Sequence, residues 1–399
     1  MNREKAHSPA QPRQTTSPHK VVIFGGGLAG LAAAQALSSH GIAVELHEAR
    51  LRLGGRASSF VDQTTGEVID NCQHVAMGCC TNFFHFCEQA DLSHQFQQLD
   101  SLLFIDEQGQ QSRLQNGFWP APFHLTGSFL RLKYFNWSER SEIIRGLRKL
   151  IRTTEYTRSF QDWLNEARQS SHVQRDFWQV VLVSALSESL DRIQYSTARQ
   201  VFVQGFLSHR HAWKVSLPKV PLQELYGEQL LEHLRQQGVQ IRLSSRLKEF
   251  RINVDQVNRA ILANGEEVTA DAYLLALPWH TLSRLFSNEA TSPSFVKQAE
   301  QLESAPISSV HLWFDRPVTE EPHAVLLGRI SQWIFNRSAI QQIETPERHY
   351  YQVVISQSRE LAKWTQEKLV NQVLEEITAL WPETSHARLV HSRVVREHQ

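Results

Sequence analysis

The sequence predicts an α/β fold on the strength of three features. A short apolar run, Val21-Val22-Ile23-Phe24, breaks into a glycine turn and then an Ala/Leu-rich stretch reaching Ser38, which reads as strand, turn and helix. A second apolar run, Ile42 to His47, follows at once and ends in an acid, Glu48. Much later, Val310-His311-Leu312-Trp313-Phe314 and the stretch near Tyr351–Ile355 alternate apolar and polar residues, the period of antiparallel strands.

Composition narrows the function. With 399 residues and roughly 150 per domain, two to three domains or one large composite fold are expected. Hydrophobic residues make up 41%, with 20 Phe, 10 Trp and 7 Tyr, so the chain can build a substantial core. Lys plus Arg equals Asp plus Glu, 41 against 41, and this balance removes the long-range attraction to phosphate backbones that nucleic-acid binders show. No apolar run is long enough for a membrane-spanning helix, which leaves surface attachment open. Residues 1–19 are rich in Pro, Ser, Thr and Gln without an apolar block, and read as a disordered leader. All four cysteines fall between Cys72 and Cys87, unlike a secreted disulfide framework, so a reducing cytoplasm is the expected compartment.

The glycine turn has the spacing Gly25-x-Gly27-x-x-Gly30, with Leu28 and Ala29 opening the helix. Gly25 permits the tight turn, Gly27 lets a pyrophosphate approach the backbone, and Gly30 lets helix and strand pack closely. The helix N-terminus then presents free N–H groups and a positive dipole end to the phosphates. Glu48, 18 positions after Gly30, can accept hydrogen bonds from a ribose diol and would repel a 2′-phosphate, so NADP is disfavoured. Strand, turn, helix, second strand and terminal acid fall in the order a Rossmann-like dinucleotide site requires.

After Glu48 come Ala49, Arg50, Arg52, then Gly54-Gly55-Arg56-Ala57-Ser58. A glycine pair plus arginine beside the ribose-binding acid offers bare backbone and a fixed positive charge to the pyrophosphate. This run closely resembles the extended FAD fingerprint of the amine oxidase and phytoene desaturase superfamily. The resemblance implies FAD as cofactor and a glutathione-reductase-like FAD-binding domain with an inserted α+β substrate domain.

A narrower resemblance follows. Val68-Ile69-Asp70-Asn71-Cys72-Gln73-His74-Val75-Ala76-Met77-Gly78-Cys79 is similar to a block of the squalene-associated FAD-dependent desaturases, the hydroxysqualene dehydroxylases of hopanoid and squalene biosynthesis. Pro120–Leu125, Leu217–Leu222, Ala276-Leu277-Pro278, Gln332–Arg337 and Val353–Ser356 agree with that family in order. Cys72 stands where the family usually has glycine, which removes the freedom of close backbone approach there. The family also implies a glycine-containing segment that closes over the flavin, and the expectation is that this segment is missing beyond Gln399.

The implied organisation is discontinuous. Residues 20–100 and 218–286 form the FAD-binding domain, the second segment supplying a helix over Leu222–Gln237 and strands at Val239–Leu243 and Ala272–Ala276. Leu247 lies where the family makes a backbone contact to adenine, though burial of an ordinary strand residue explains it equally well. Residues 101–217, mostly helical and carrying Trp119, Trp137, Trp163, Trp178 and Trp213, join 287–399, with a final helix at Glu360–Leu380, as the substrate domain. Within it, residues 127–153 form a basic amphipathic segment that either rests on anionic lipid, at the inner face of the membrane, or packs on the core with its basic face solvated.

The cysteines lack the paired spacing of a zinc site, so no metal is expected and free thiols are the default. No G-x-S-x-G, H-E-x-x-H or P-loop occurs. Asp70, Gln73 and His74 are the candidate catalytic residues, because they directly follow the cofactor motif; His74 is a candidate general acid, or Asp70 and His74 only brace the loop. The resemblance implies that reduced FAD delivers a hydride to an allylic carbon of hydroxysqualene, an apolar C30 isoprenoid, as its hydroxyl leaves as water. Two other readings stay open: a carotenoid-type desaturase, and a non-catalytic truncated remnant.

Overall fold

The computed structural model describes residues 19–253, 256–286, 294–343 and 348–398. Apart from His19, the leader predicted for residues 1–19 lies outside the described residues, as does the start of the predicted segment 287–399. By internal packing the chain divides into two compact units, Met1–Leu51 with Leu234–Glu300, and Arg52–His233 with Gln301–Gln399. This division follows packing, whereas the sequence boundaries at 100 and 218 followed cofactor role, so residues 52–100 and 218–233 fall in the second unit.

The first unit is built on a parallel sheet in the order Gln240–Arg242, Ala43–His47, Lys20–Phe24, Ala272–Leu275. Val21 pairs with Ala272 on one side and Val44 on the other, so the central strand is hydrogen-bonded along both edges. Its residues Val21 to Phe24 are buried throughout, the continuous apolar run expected of a strand covered on both faces. Helix Leu28–Ser39 connects the first two strands. An antiparallel sheet of Leu247–Asn253, Gln256–Leu262 and Glu267–Val268 packs Leu247, Ala260 and Leu262 against Val22 and Phe24.

The second unit holds a seven-stranded sheet in the order Leu389–His398, Pro306–Phe314, His349–Ile355, Trp333–Asn336, His323–Leu326, Ser101–Ile105, Gln111–Gln115. Alternation sorts its strands onto two faces. Val310, Leu312, Phe314, Tyr351, Val353 and Ile355 pack with Leu369, Val370, Val373 and Ile377 of helix Gln366–Leu380. The intervening residues, Ser309, His311, Trp313, Tyr350 and Gln352, occupy the other face. The predicted strands and final helix are present, with Glu360–Lys363 as a separate 3₁₀ turn ahead of the helix. The closing strand Leu389–His398 was not predicted.

The predicted helical region 101–217 is helical only in its middle, since Ser101–Ile105, Gln111–Gln115 and Val215–Pro218 are strands. Phe160, Trp163, Trp178, Tyr195 and Phe202 form its core, each such buried side chain contributing about 3 kcal/mol relative to exposure. Trp213 is buried as well, whereas Trp119 and Trp137 are exposed. Helix Trp137–Arg152 starts in a capping box between Asn136 and Glu139 and buries Ile143, Gly146 and Leu150. Of the two alternatives for residues 127–153, core packing accounts for Ile143 and Leu150, while Leu130, Trp137 and Ile151 stay exposed beside the basic face. No helix among the described residues is long and apolar enough to cross a membrane.

Candidate cofactor and substrate site

In the first unit the strand Lys20–Phe24 ends at Gly25, with φ at +112°, a conformation that favours glycine. A Cβ on Gly25 would collide with the Ala276 carbonyl, and one on Gly30 with the Gly25 carbonyl. The Ala276-Leu277-Pro278 block thus closes onto the turn directly after its own strand. Gly27 caps the helix with no side-chain bond, and the first turn holds no acid. The helical ladder begins at Leu31 N–H, which donates to the Gly27 carbonyl at 3.0 Å, so the amides at Leu28 and Ala29 face the end of the helix.

Glu48 stands at the end of the neighbouring strand, where its amide donates to the Arg242 carbonyl at 2.9 Å and its carbonyl accepts from Ser245 N–H at 2.8 Å. Its carboxylate accepts from Gly26 N–H at 2.7 Å and from Arg50 N–H at 2.8 Å. A carboxylate offers about four lone-pair positions, so two remain for ribose hydroxyls. Ala49 and the Arg50 side chain are exposed, and Leu247 is buried two residues beyond Ser245. Uncapped helix end, close-approach glycines and an acid with open acceptor positions fit a dinucleotide cofactor.

In the second unit the Arg52–Arg56 segment forms a tight turn. Gly54 and Gly55 have φ of +94° and +63°, and a Cβ on Gly54 would strike the Ala57 carbonyl. Ala57 N–H donates to the Gly54 carbonyl at 3.0 Å, Ser58 Oγ to the Gly55 carbonyl at 2.9 Å and Asn71 Nδ2 to the Arg56 carbonyl at 3.3 Å. Asn71 thereby joins this turn to the strand Val68–Asp70, while the Arg56 side chain stays exposed.

Asp70 and Gln73 meet a residue that the sequence reading did not single out. Arg337 Nη2 donates to Asp70 Oδ2 at 2.9 Å and Arg337 Nη1 to Gln73 Oε1, with the Asp70 and Arg337 side chains both 1% exposed. Asp70 Oδ1 accepts from Ser59 Oγ at 2.7 Å and from Leu222 N–H at 2.9 Å, and Ser59 Oγ accepts from Gln223 N–H at 2.8 Å. The carboxylate directly, and Ser59 beside it, thus satisfy the backbone donors of Leu222 and Gln223 at the start of the π-helical segment Gln223–Gln229. Arg337 opens the short helix Arg337–Gln341, whose cap Asn336 accepts from Ala339 N–H at 3.0 Å.

The flanking aromatic groups are neutral. Trp313 and Tyr350 stack at 4.7 Å with ring planes 9° apart, and His311 Nδ1 lies 2.6 Å from the Tyr350 hydroxyl. Burial, reinforced by the Arg337 charge, pushes the His311 imidazole down to about 3, and burial raises the Tyr350 phenol well above its usual range. Cys72 is buried and bonded to Ser309, its thiol pushed up to about 12, so the core accommodates the side chain that replaces the family's glycine.

His74 is half-buried, and its Nδ1 lies 2.9 Å from the Cys72 carbonyl, which can only accept, so Nδ1 bears the proton. Burial lowers its pKa, with the Cys72 bond opposing and the Arg56 and Arg337 charges assisting. The neutral ring then presents a bare Nε2, which accepts a proton or hydrogen bond. Of the two roles open to His74, the Nδ1 bond to Cys72 is a bracing contact, and desolvation makes the imidazolium that a general acid needs less favourable.

Cys80 is exposed and caps helix Thr81–Gln89, with its thiol lowered to about 6 by the bond from Cys79, whose own thiol is raised. Among the described residues no three His, Cys, Asp or Glu side chains are arranged to hold a metal ion.

Comparison with known proteins agrees with this fold. The family described as flavin containing amine oxidoreductase matches residues 28–397. A 15-cis-phytoene desaturase of an Oncidium hybrid cultivar is 26% identical over 95% of this chain and 68% of its own length. The 15-cis-phytoene desaturase of Synechococcus elongatus is 25% identical over 94% of this chain and 84% of its own. An oxidoreductase from Methanosarcina mazei superposes with a TM-score of 0.73 at 16% identity, covering 95% of this chain and 88% of that one. With its glycine turn, the acid Glu48 at the end of the second strand and its α/β architecture, the chain belongs to the flavin containing amine oxidoreductase family and is an FAD-dependent oxidoreductase.

Proposed function

We propose that the enzyme reduces hydroxysqualene to squalene, acting on an apolar C30 isoprenoid. The observation that supports this reading best is the use made of the Asp70–His74 block. Asp70 and Gln73 accept from the two terminal nitrogens of Arg337 in a charge-neutral cluster flanked by the neutral His311, Tyr350 and Trp313. Such surroundings suit a hydrocarbon and give a cationic substrate no unpaired anion to bind. When bound in reduced form, FAD supplies the hydride. The allylic C–O bond breaks, hydrogen with its electron pair takes the place of the oxygen, and a solvent proton joins the departing hydroxyl to give water. His74 accepts a hydrogen bond from the substrate hydroxyl at Nε2 and orients it, and Asp70 and Gln73 act as positioning residues through Arg337.

A second reading, carotenoid-type desaturation, is favoured by two observations. The neutral His74 is in the state that accepts a proton, and the relatives at 25–26% identity are named as phytoene desaturases. Mass spectrometry of products from the FAD-loaded enzyme separates the two. Loss of one oxygen atom from hydroxysqualene under reducing conditions is the expected result. Loss of two hydrogen atoms from phytoene, with hydroxysqualene returned unchanged, would replace the dehydroxylase reading with the desaturase one.

A further inference from the structure

The largest exposed aromatic group in the second unit belongs to neither the cofactor turn nor the Arg337 cluster. Phe118 is 95% exposed, Trp119 64% and Phe123 63%, all on one loop. The loop is ordered by its own bonds: Gly117 N–H donates to the His124 carbonyl at 2.6 Å, Phe123 N–H to the Pro120 carbonyl at 2.9 Å and Thr126 N–H to the Phe123 carbonyl at 3.0 Å. Trp213 Nε1 ties Asn116, just ahead of it, at 2.7 Å, and His124 is fully buried beneath. The aromatic residues are thus held in water by a fixed backbone, which folding alone does not reward.

Glu321 pairs with Arg113 and Asp100 with Lys214, while among the described residues Arg131, Lys133 and Arg210 form no ion pair, so the surplus charge near the loop is positive. No Asp or Glu occurs between Gln108 and Ser138, where Arg113, Arg131 and Lys133 lie, nor between Arg192 and Gln223, where Arg199, Arg210, Lys214 and Lys219 lie. The two acid-free stretches meet at His124, whose ionisation feels Arg210, His209 and His211. Arg131, Lys133 and Arg210 are exposed. We propose that the Phe118–Phe123 loop, rimmed by Arg131, Lys133 and Arg210, docks the protein peripherally on an anionic lipid bilayer. Aromatic side chains enter the headgroup boundary while the cationic rim meets lipid phosphates, each Lys or Arg strengthening partitioning by about fivefold. A second copy of the chain is a poorer occupant, because self-pairing would set the same cationic rims face to face. The inference stands without the substrate reading, since it uses no residue of the cofactor turn or the Arg337 cluster.

The test is cosedimentation of the FAD-loaded full chain with vesicles of mixed phosphatidylcholine and phosphatidylglycerol, and with phosphatidylcholine alone. The expected result is binding to the mixed vesicles that weakens in high salt and falls at least about tenfold in a Phe118→Ser/Trp119→Ser/Phe123→Ser variant. A second variant, Arg131→Glu/Lys133→Glu, loses the preference for anionic lipid, and Val390→Ser, an exposed apolar residue on another strand, binds as the unaltered chain does. FAD content and thermal midpoint, measured on each, report folding. Three outcomes overturn the proposal: no sedimentation of the unaltered chain, full binding by the folded triple variant, or a self-association lost in the triple variant without vesicle binding. Catalysis is not read, so failure here is distinct from failure of the dehydroxylase reading.

Discussion

Asp70 and Arg337 lie 267 positions apart in sequence and meet as a buried ion pair at 2.9 Å. Each makes the other tolerable: an unpaired charge in this interior would carry its full desolvation cost, and the second oxygen of Asp70 is already held by Ser59 and Leu222. Arg337→Met leaves the carboxylate uncompensated and is expected to cost about 3–5 kcal/mol of stability. Asp70→Asn keeps an acceptor for Leu222 N–H but leaves the buried Arg337 charge unpaired, and is expected to cost a similar amount. Thermal and urea unfolding of the FAD-free proteins measure both losses, and a loss below about 1 kcal/mol for either variant would show that the pair does not stabilise this interior.

His311 and His323 make stability depend on acid. Burial holds them at about 3 and about 4, both below the ordinary histidine value near 6.5, so the unfolded chain binds the extra protons as pH falls. The stability they provide is complete above about pH 6.5 and is lost on the way down to those folded values, at about 1.4 kcal/mol per pH unit for each group. Urea midpoints between pH 7 and pH 4 should fall along that slope, and His323→Gln should flatten it.

Gly25→Ala places a Cβ against the Ala276 carbonyl on a backbone with φ at +112°. The turn must shift, and with it the free amides at the start of helix Leu28–Ser39. The variant is expected to purify with at most about a tenth of the FAD of the unaltered chain. Flavin absorbance after denaturation measures it, and unchanged FAD content would mean that the turn does not hold the cofactor.

Cys80 should be the reactive thiol. It is exposed and lowered to about 6, whereas Cys72 and Cys87 are buried and raised to about 12. Brief iodoacetamide treatment of the native protein at pH 7, followed by peptide mass spectrometry, should label the Cys79-Cys80 peptide and spare the other two cysteines. Equal labelling of all four would contradict the burial of Cys72 and Cys87.

Local signals made the first unit legible. The apolar run Val21–Phe24, the glycine spacing and Glu48 all sit within thirty residues, and the parallel pairing of Lys20–Phe24 with Ala43–His47 follows from them. The Arg337 cluster is different in kind. Arg337 lay inside a block noted for family resemblance, but nothing near it in sequence marks a guanidinium whose partners come from Asp70 and Gln73. His311 was visible only as a polar position in an alternating strand, and its neutrality depends on neighbours from other strands. The strand Leu389–His398 has few strong apolar positions, and long-range pairing with Pro306–Phe314 decides its conformation. The basic segment 127–153 was legible as amphipathic, but which of its apolar residues meet the core, as Ile143 and Leu150 do, and which meet water, as Trp137 and Ile151 do, is set by partners distant in sequence.

The seven-stranded sheet also sets an order of events during synthesis. Ser101–Ile105 pairs in parallel with His323–Leu326, and Leu103 N–H donates to His323 Nε2 across 220 positions of sequence. The hairpin Ser101–Gln115 therefore leaves the ribosome long before the strand that continues its sheet, and Lys20–Phe24 likewise waits for Ala272–Leu275. Through that interval both early elements present an unpaired edge to the cell, and loop closure over such distances slows their capture. Chaperone cover through that interval is expected to raise the soluble yield from expression, and equal yield with and without added chaperones would show that the exposed edges are not limiting.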